Sequence, residues 1–590
     1  MPLTKHILPA TAFAELADGG GGPATMRQLS EAQLSKHLML LCALAEAARG
    51  PQPGPAAFRA GFRQLAKIQA DGPAAADWLL GSPHLGGWIH DSLIRQDQGG
   101  TPDFGHFAGL VAAAAVRAGR PADLEVPVRD GRVLLPGLGS LLVPGGGDDG
   151  EAAWLRLRCD GQLVTAGDQL VLPAGQLVPD DGTTAVVPGW RGTPAVRASA
   201  GGRDWTVLLE TGDPYLDRYS LPMRTAMSAA ELGEWRERVR AAWSVVMDRH
   251  RWAAEPLGEV ISVIVPLTPQ SETDLVSGTT PAAYGAFATS WPPDPVTLAE
   301  TLVHEFQHVK LCGLLDLVPL VRTGGQPVYA PWRQDPRPAS GLLQGVYAHA
   351  GIVRFWQAQR HAETDPDGLL RAQVLFARWR SVIGPAVQTL RQTGSLTPAG
   401  IRFAERLAAQ GERLSAETVP PAVGQIAAQV SLDHRLTWEL RHLVVDADGA
   451  DRLAAAYAGG GATGPEPVRT WIAEDVRKVD ASLRSRLLNL RYLDPSRYRT
   501  LCADGVLPLS AADRLLLADR SEDAVEAYRA QIADSAGPQF DAWIGLALAL
   551  HQRPPSPLHE VMATRLALIA EVHARLAGPV DPLDLARWFT

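Results

Sequence analysis

The 590-residue sequence contains few cysteines, and no two of the four (Cys42, Cys159, Cys312, Cys502) stand at a CxxC spacing. That excludes a disulfide framework, a cysteine zinc site and an iron–sulfur cluster. No run reaches the ~18 consecutive apolar residues of a membrane span. The opening MPLTKHILPATAFAELADGGGG lacks the apolar core of a secretion signal, so a cytoplasmic protein without a membrane partner is expected. Lysine is scarce beside arginine, which reads as coding composition. The net charge is −9 and no basic stripe is present, so a nucleic-acid partner is not expected. Hydrophobic residues at 46% and charged residues at 20% are ordinary for a folded chain, which argues against wholesale disorder. At roughly 150 residues per domain, the length predicts three or four structural units.

What is present divides into four textures, and the expected class is α+β, mainly helical. Residues 1–122 read as an N-terminal helical region. Ser30-Glu31-Ala32-Gln33 has the capping-box pattern, apolar residues recur after it at helical spacing, and 103–119 predicts a buried helix. Residues 123–222 read as β-rich and antiparallel: Trp154, Arg156 and Arg158 alternate with Leu155, Leu157 and Cys159. Asp130-Gly131 and Asp160-Gly161 are hairpin-type turns, and Gly145–Gly150 is a loop tip. Residues 223–365 read as the central catalytic domain, with a helix capped at Ser228 and running to about His250, an apolar strand over Val260–Pro266, and a helix started by Asp294-Pro295. Residues 366–590 read as a helical C-terminal region broken at Gly459–Gly461, in which one helix pair is tetratricopeptide-like.

The segment that carries chemistry is LAETLVHEFQHVKL, with His304-Glu305-Phe306-Gln307-His308 forming an HExxH motif on a predicted helix. Four residues turn a helix by about 400°, so the two imidazoles lie roughly 40° apart on one face, within reach of one metal ion. Glu305 sits roughly 100° away from His304, close enough to touch a group bound to that metal. Composition alone predicts roughly 0.02 such motifs in a chain of this length. The plainer alternative is a buried helix with two hydrogen-bonded histidines. A third ligand is needed. Leu311 and Leu314 occupy the Gly and His positions of the longer HExxHxxGxxH signature, and the next predicted helix, GLLQGVYAHAGIVRFW, has no acid but carries His349. His349 is the favoured third ligand and Asp316 the carboxylate alternative. Between the two helices lies the proline-stiffened loop YAPWRQDPRP. Its Arg333 and Arg337 suit an anionic co-substrate, or else pair with acids such as Asp335.

The run AYGAFATSWPPDPVTLAETLVHEFQHVKLCGLLDLVPL, then YAPWRQDPRP and GLLQGVYAHAGIVRFW, resembles the HExxH domain of the 2-oxoglutarate-dependent peptide β-hydroxylases, the αKG-HExxH proteins that modify ribosomally made peptides. The close likeness covers about 260–360. The radical-SAM domain fused to some relatives has no counterpart, since no CxxxCxxC occurs. The resemblance implies an iron(II) oxidoreductase that takes 2-oxoglutarate and O₂ and hydroxylates the β-carbon of a precursor-peptide residue. Its fold would differ from the double-stranded β-helix of other such oxygenases. It makes His304 and His308 iron ligands, Arg333 or Arg337 the clamp for the keto acid's distal carboxylate, and Glu305 a supporting group. The family is described with a 2-His-1-carboxylate motif, from which His349 would depart. Two other readings stand beside it. In a zinc metallopeptidase Glu305 would be the general base, with Val260–Pro266 as an edge strand for an extended peptide. A non-enzymatic helical scaffold would bind a peptide and hold only a structural metal.

Overall fold

One local signal recurs through the chain and accounts for much of its helix. Ser82-Pro83, Asp294-Pro295, Asp365-Pro366, Thr397-Pro398, Ser556-Pro557 and Asp581-Pro582 each place an oxygen-bearing cap before a proline at the first helical position. In every case the cap side chain accepts from a backbone N–H of the first turn. In the computed structural model 61% of the described residues are helical, with 22 α-helices and several small sheets among them, so the mainly helical expectation holds. The structure describes residues 6–143, 153–167, 170–179, 181, 188–217, 219, 221–268, 275–461, 467–473, 482–503, 507–533 and 539–590. Gly145–Gly150, expected as a loop tip, lies outside the described residues. The chain divides into two compact units, Met1–Pro319 and Leu320–Thr590.

In the first unit the helix Phe104–Ala118 is buried on all sides, as its alanine-rich sequence predicts, and Gly119 closes it in the left-handed conformation. It packs against a four-stranded antiparallel sheet whose first two strands are Ala122–Val128 and Ala153–Cys159. Asp130 and Gly131 both have positive φ between the mutually hydrogen-bonded Arg129 and Arg132, as a two-residue hairpin requires. Two expectations need adjustment. Ser30–Gln33 is not a helix start: the helix runs Pro23–Ala47, and its first helical position is Pro23 after Gly22. Gln33 faces inward and donates to Asp316 instead of capping. The β-rich stretch is also not one antiparallel region. Its last strands, Ala195–Ala200 and Arg203–Leu209, join Val263–Pro266, Ser277–Gly278 and Ala286–Thr289 in a mixed five-stranded sheet. Val260 ends a helix, and Val263–Pro266 lies between two parallel neighbours with every side chain buried. A strand hydrogen-bonded on both sides offers no edge to a peptide. The continuous apolar run is what a strand covered on both faces looks like in sequence.

The second unit is a stack of helices, among them Ala339–Ala362, Pro366–Gln392, Pro398–Ser415 and Pro421–His442. The helix Ala447–Ala458 stops at Gly459, and Gly460 has positive φ, as the glycine run predicts. Arg484, 1% exposed, sits among Asp433, Asp513 and Asp541, which ties four helices together by charge. In the pair Ser521–Ala533 and Phe540–His551, Gly545 leaves room for the Tyr528 ring, where a Cβ would stand 2.2 Å from it.

The Ser228 cap is realised as a full capping box on the helix Ala229–Arg249. The Ser228 side chain accepts from the Glu231 N–H, and the Glu231 carboxylate accepts from the Ser228 N–H at 2.8 Å. Arg224 also donates to that carboxylate at 2.5 Å. The Ser228 backbone bond, its hydroxyl and Arg224 hold the Glu231 carboxyl down at about 2. A depressed acid stabilises the fold above its unfolded pKa and loses that contribution as pH falls through its folded one. The melting advantage of the wild type over Glu231→Ala is therefore expected in full above about pH 4.5 and to fade towards pH 2, as thermal denaturation across that range will read.

Candidate metal-binding site

The motif helix runs Pro295–Leu317. Asp294 caps it by accepting from the Thr297 N–H at 2.8 Å and from the Thr297 hydroxyl at 2.6 Å. The packing positions read from the sequence, Leu298, Leu302, Phe306 and Val309, are all fully buried. Each such side chain contributes roughly 1.5–3 kcal/mol by leaving water. Lys310 is buried as well: its ammonium donates to the carbonyls of Gly19 and Gly20 at 2.9 and 2.7 Å, which pins the N-terminal glycine loop to this helix. From Leu298 to Leu314 Glu300, His304 and His308, spaced four apart on one face, are the partly exposed residues. The helix thus keeps its two histidines on the one side that is open.

The two imidazoles meet as the spacing predicts. Their Nε2 atoms are 3.2 Å apart and the rings are nearly perpendicular at 78°. Two nitrogens bound at about 2.1 Å to one ion would be about 3.0 Å apart at a right angle and about 3.4 Å apart in a tetrahedron. The separation matches two positions on one metal ion in either geometry, and equally a hydrogen bond between the two rings. Among the described residues, no group of three or more His, Cys, Asp or Glu side chains is gathered so as to hold a metal.

Glu305 is 1% exposed, and its Oε1 is 3.9 Å from His304 Nε2. Ser277 donates to Oε1 at 2.6 Å and Thr279 to Oε2 at 2.7 Å. Both hydroxyls come from the short edge strand Ser277–Gly278 and the residue after it. The sequence did not single them out, because hydroxyl residues are common in loops and nothing local connects 277–279 to 305. Asp316, the carboxylate alternative for a ligand, accepts at Oδ2 from Gln33 and Lys36, each at 2.8 Å.

The other expected site residues lie in the second unit. His349 is buried on the helix Ala339–Ala362, stacked on Trp332 at 4.4 Å and edge-on to Trp379 at 4.6 Å. Its Nδ1 is 2.9 Å from the Gly345 carbonyl. A carbonyl only accepts, so Nδ1 carries the proton and the neutral ring has its lone pair on Nε2, the tautomer a metal ligand needs. Gly345 is required here, since a Cβ would lie 2.2 Å from the Trp332 indole. Arg333 and Arg337 both pair with Asp335, at 2.9 and 3.0 Å, and the Val328–Arg337 backbone bonds close this loop. Burial would raise the Asp335 carboxyl, but the two guanidiniums outweigh it and hold the carboxyl below its usual range. No family model matches this chain, and no curated protein matches it in sequence.

The Ser277 and Thr279 bonds are testable. Ser277→Ala with Thr279→Val leaves a buried carboxylate without its donors and is expected to cost about 1–3 kcal/mol per bond removed. Urea denaturation reads that loss, and a change within error would show that these hydroxyls do not hold Glu305.

Proposed function

We propose that the chain is an iron(II)- and 2-oxoglutarate-dependent oxygenase that hydroxylates the β-carbon of a residue in a ribosomally made peptide. The observation that carries this reading over the peptidase is the state of Glu305. A peptidase base must take a proton from metal-bound water, whereas this carboxylate is buried and accepts a short hydroxyl bond on each oxygen. It serves to hold the helix in rotation. The position of Val263–Pro266 inside its sheet agrees, because it removes the edge strand that the peptidase reading used.

In the proposal His304 and His308 hold the metal through Nε2, with His349 as the third ligand on the sequence reading and on its tautomer. Iron(II) with 2-oxoglutarate and O₂ supplies the oxidising power that puts oxygen into a C–H bond. No side chain has to remove a proton from the substrate for that chemistry, so a carboxylate already engaged at both oxygens suits it. Arg333 and Arg337, two cations against Asp335, retain a net positive charge for the distal carboxylate of the keto acid.

The test begins with metal-free protein, iron(II) without oxygen, and a titration of 2-oxoglutarate. A visible charge-transfer band saturating near one equivalent is expected, with no band in His304→Ala. In Arg333→Ala/Arg337→Ala the keto acid should bind about tenfold or more weakly. Unchanged affinity would remove the clamp, and full metal occupancy in His349→Ala would remove the third ligand. No band, with zinc-loaded protein cleaving a peptide pool and Glu305→Gln keeping zinc but losing cleavage, would establish the peptidase instead.

A further inference from the structure

The first unit contains a second group of titratable side chains that shares no residue with the motif helix. His84, His106, Glu210 and Asp213 are each at most 5% exposed. His84 Nδ1 is 2.8 Å from Asp213 Oδ2, and its Nε2 is 3.5 Å from Glu210 Oε2. His106 Nε2 is 3.8 Å from Asp213 Oδ1. Glu210 Oε1 accepts from the N–H groups of Gly212 and Asp213 at 2.7 and 3.1 Å. Glu210 Oε2, His84 Nε2 and His106 Nε2 are buried without a hydrogen-bond partner. Native folds rarely leave such atoms unsatisfied unless something else reaches them.

Two of these residues, His106 and Glu210, border a cavity of about 500 Å³ that Arg129, Arg132 and Arg191 also line, among others. That is the size of an ordinary small-molecule site. Arg129 is paired with Asp103, and Asp130 and Glu210 also line the cavity; Arg132 and Arg191 form no ion pair among the described residues, so their two guanidiniums are available to an anion. Arg191 donates to the Thr225 carbonyl at 2.8 Å, which fixes its direction, and Arg132 stands exposed. Burial pushes the Glu210 carboxyl up and the His106 imidazole down. The buried end of the cavity offers the hydrogen-bonding groups of His106 and Glu210, and the exposed side offers cations. A metal ion is the wrong occupant, since the arginines repel it and no ligand group is gathered among the described residues.

We propose that this cavity binds a small polar oxyanion: a molecule whose carboxylate or phosphate is clamped by Arg132 and Arg191, while its hydroxyl or carbonyl end meets His106 and Glu210. Guanidinium forks fit either anion with two parallel hydrogen bonds. The assignment is independent of the chemistry proposed for the motif helix. Calorimetric titration of the full chain with inorganic phosphate and, separately, with succinate tests it. Saturable binding of at least one is expected, and the probe that binds names the anion class. In Arg132→Ala/Arg191→Ala, which alters two exposed side chains, that binding should weaken about tenfold or more. Circular dichroism and the keto-acid band should stay unchanged. Absence of saturable binding for both probes at millimolar concentration, or binding that survives the double substitution, overturns the proposal.

Discussion

The site in the first unit depends on where the Glu305 carboxylate can go. A carboxylate with 1% exposure must find donors, and the Ser277 and Thr279 hydroxyls supply one for each oxygen. That engagement fixes the rotation of the helix Pro295–Leu317 about its axis. Once Glu305 is turned towards the edge strand, the apolar stripe of Leu298, Leu302 and Phe306 faces the core, and His304 and His308 are left on the open side. Lys310 holds the same helix from another direction by its bonds to the Gly19 and Gly20 carbonyls. Three polar anchors, the Asp294 cap, Glu305 and Lys310, thus fix two imidazoles within 3.2 Å of each other.

The two units treat buried charge in a common way. Arg484 is surrounded by three aspartates in the helical unit. In the first unit the His84–Asp213 contact holds the His84 imidazole above its ordinary pKa: burial opposes the cation, but the bond to Asp213 and the charge of Glu210 outweigh it. Asp213 is held down by the His106 and His84 charges against the same burial cost. Such clusters are expensive to leave incomplete. Arg484 has its carboxylates within one helical unit, whereas Glu210 and His106 border the cavity proposed above as a ligand site.

Much of the secondary structure was legible because its signals are local. The Asp294 cap before Pro295, the Ser228–Glu231 box, the Asp130-Gly131 turn and the alanine-rich 104–118 segment each act within a few residues, and each appears where expected. The Ser30–Gln33 pattern failed for a physical reason. A capping box stabilises a helix start only when the chain has not already entered the helix, and Pro23 begins it seven residues earlier. The strand Val263–Pro266 was visible as an apolar run, but its place inside the sheet was not, because its partners Leu208 and Ala286 are distant in sequence.

The sequence by itself determined the HExxH pair, since helical periodicity alone puts residues 304 and 308 on one face, and it named Glu305 as the carboxylate beside them. It also held both readings of Arg333 and Arg337, and the Asp335 pairing was one of them. Only the tertiary structure decided what Glu305 and Asp316 touch, and that His84, His106, Glu210 and Asp213 meet. Those outcomes depend on chain segments separated by tens to hundreds of residues, whose encounter is set by packing and by the need of every buried charge for a partner.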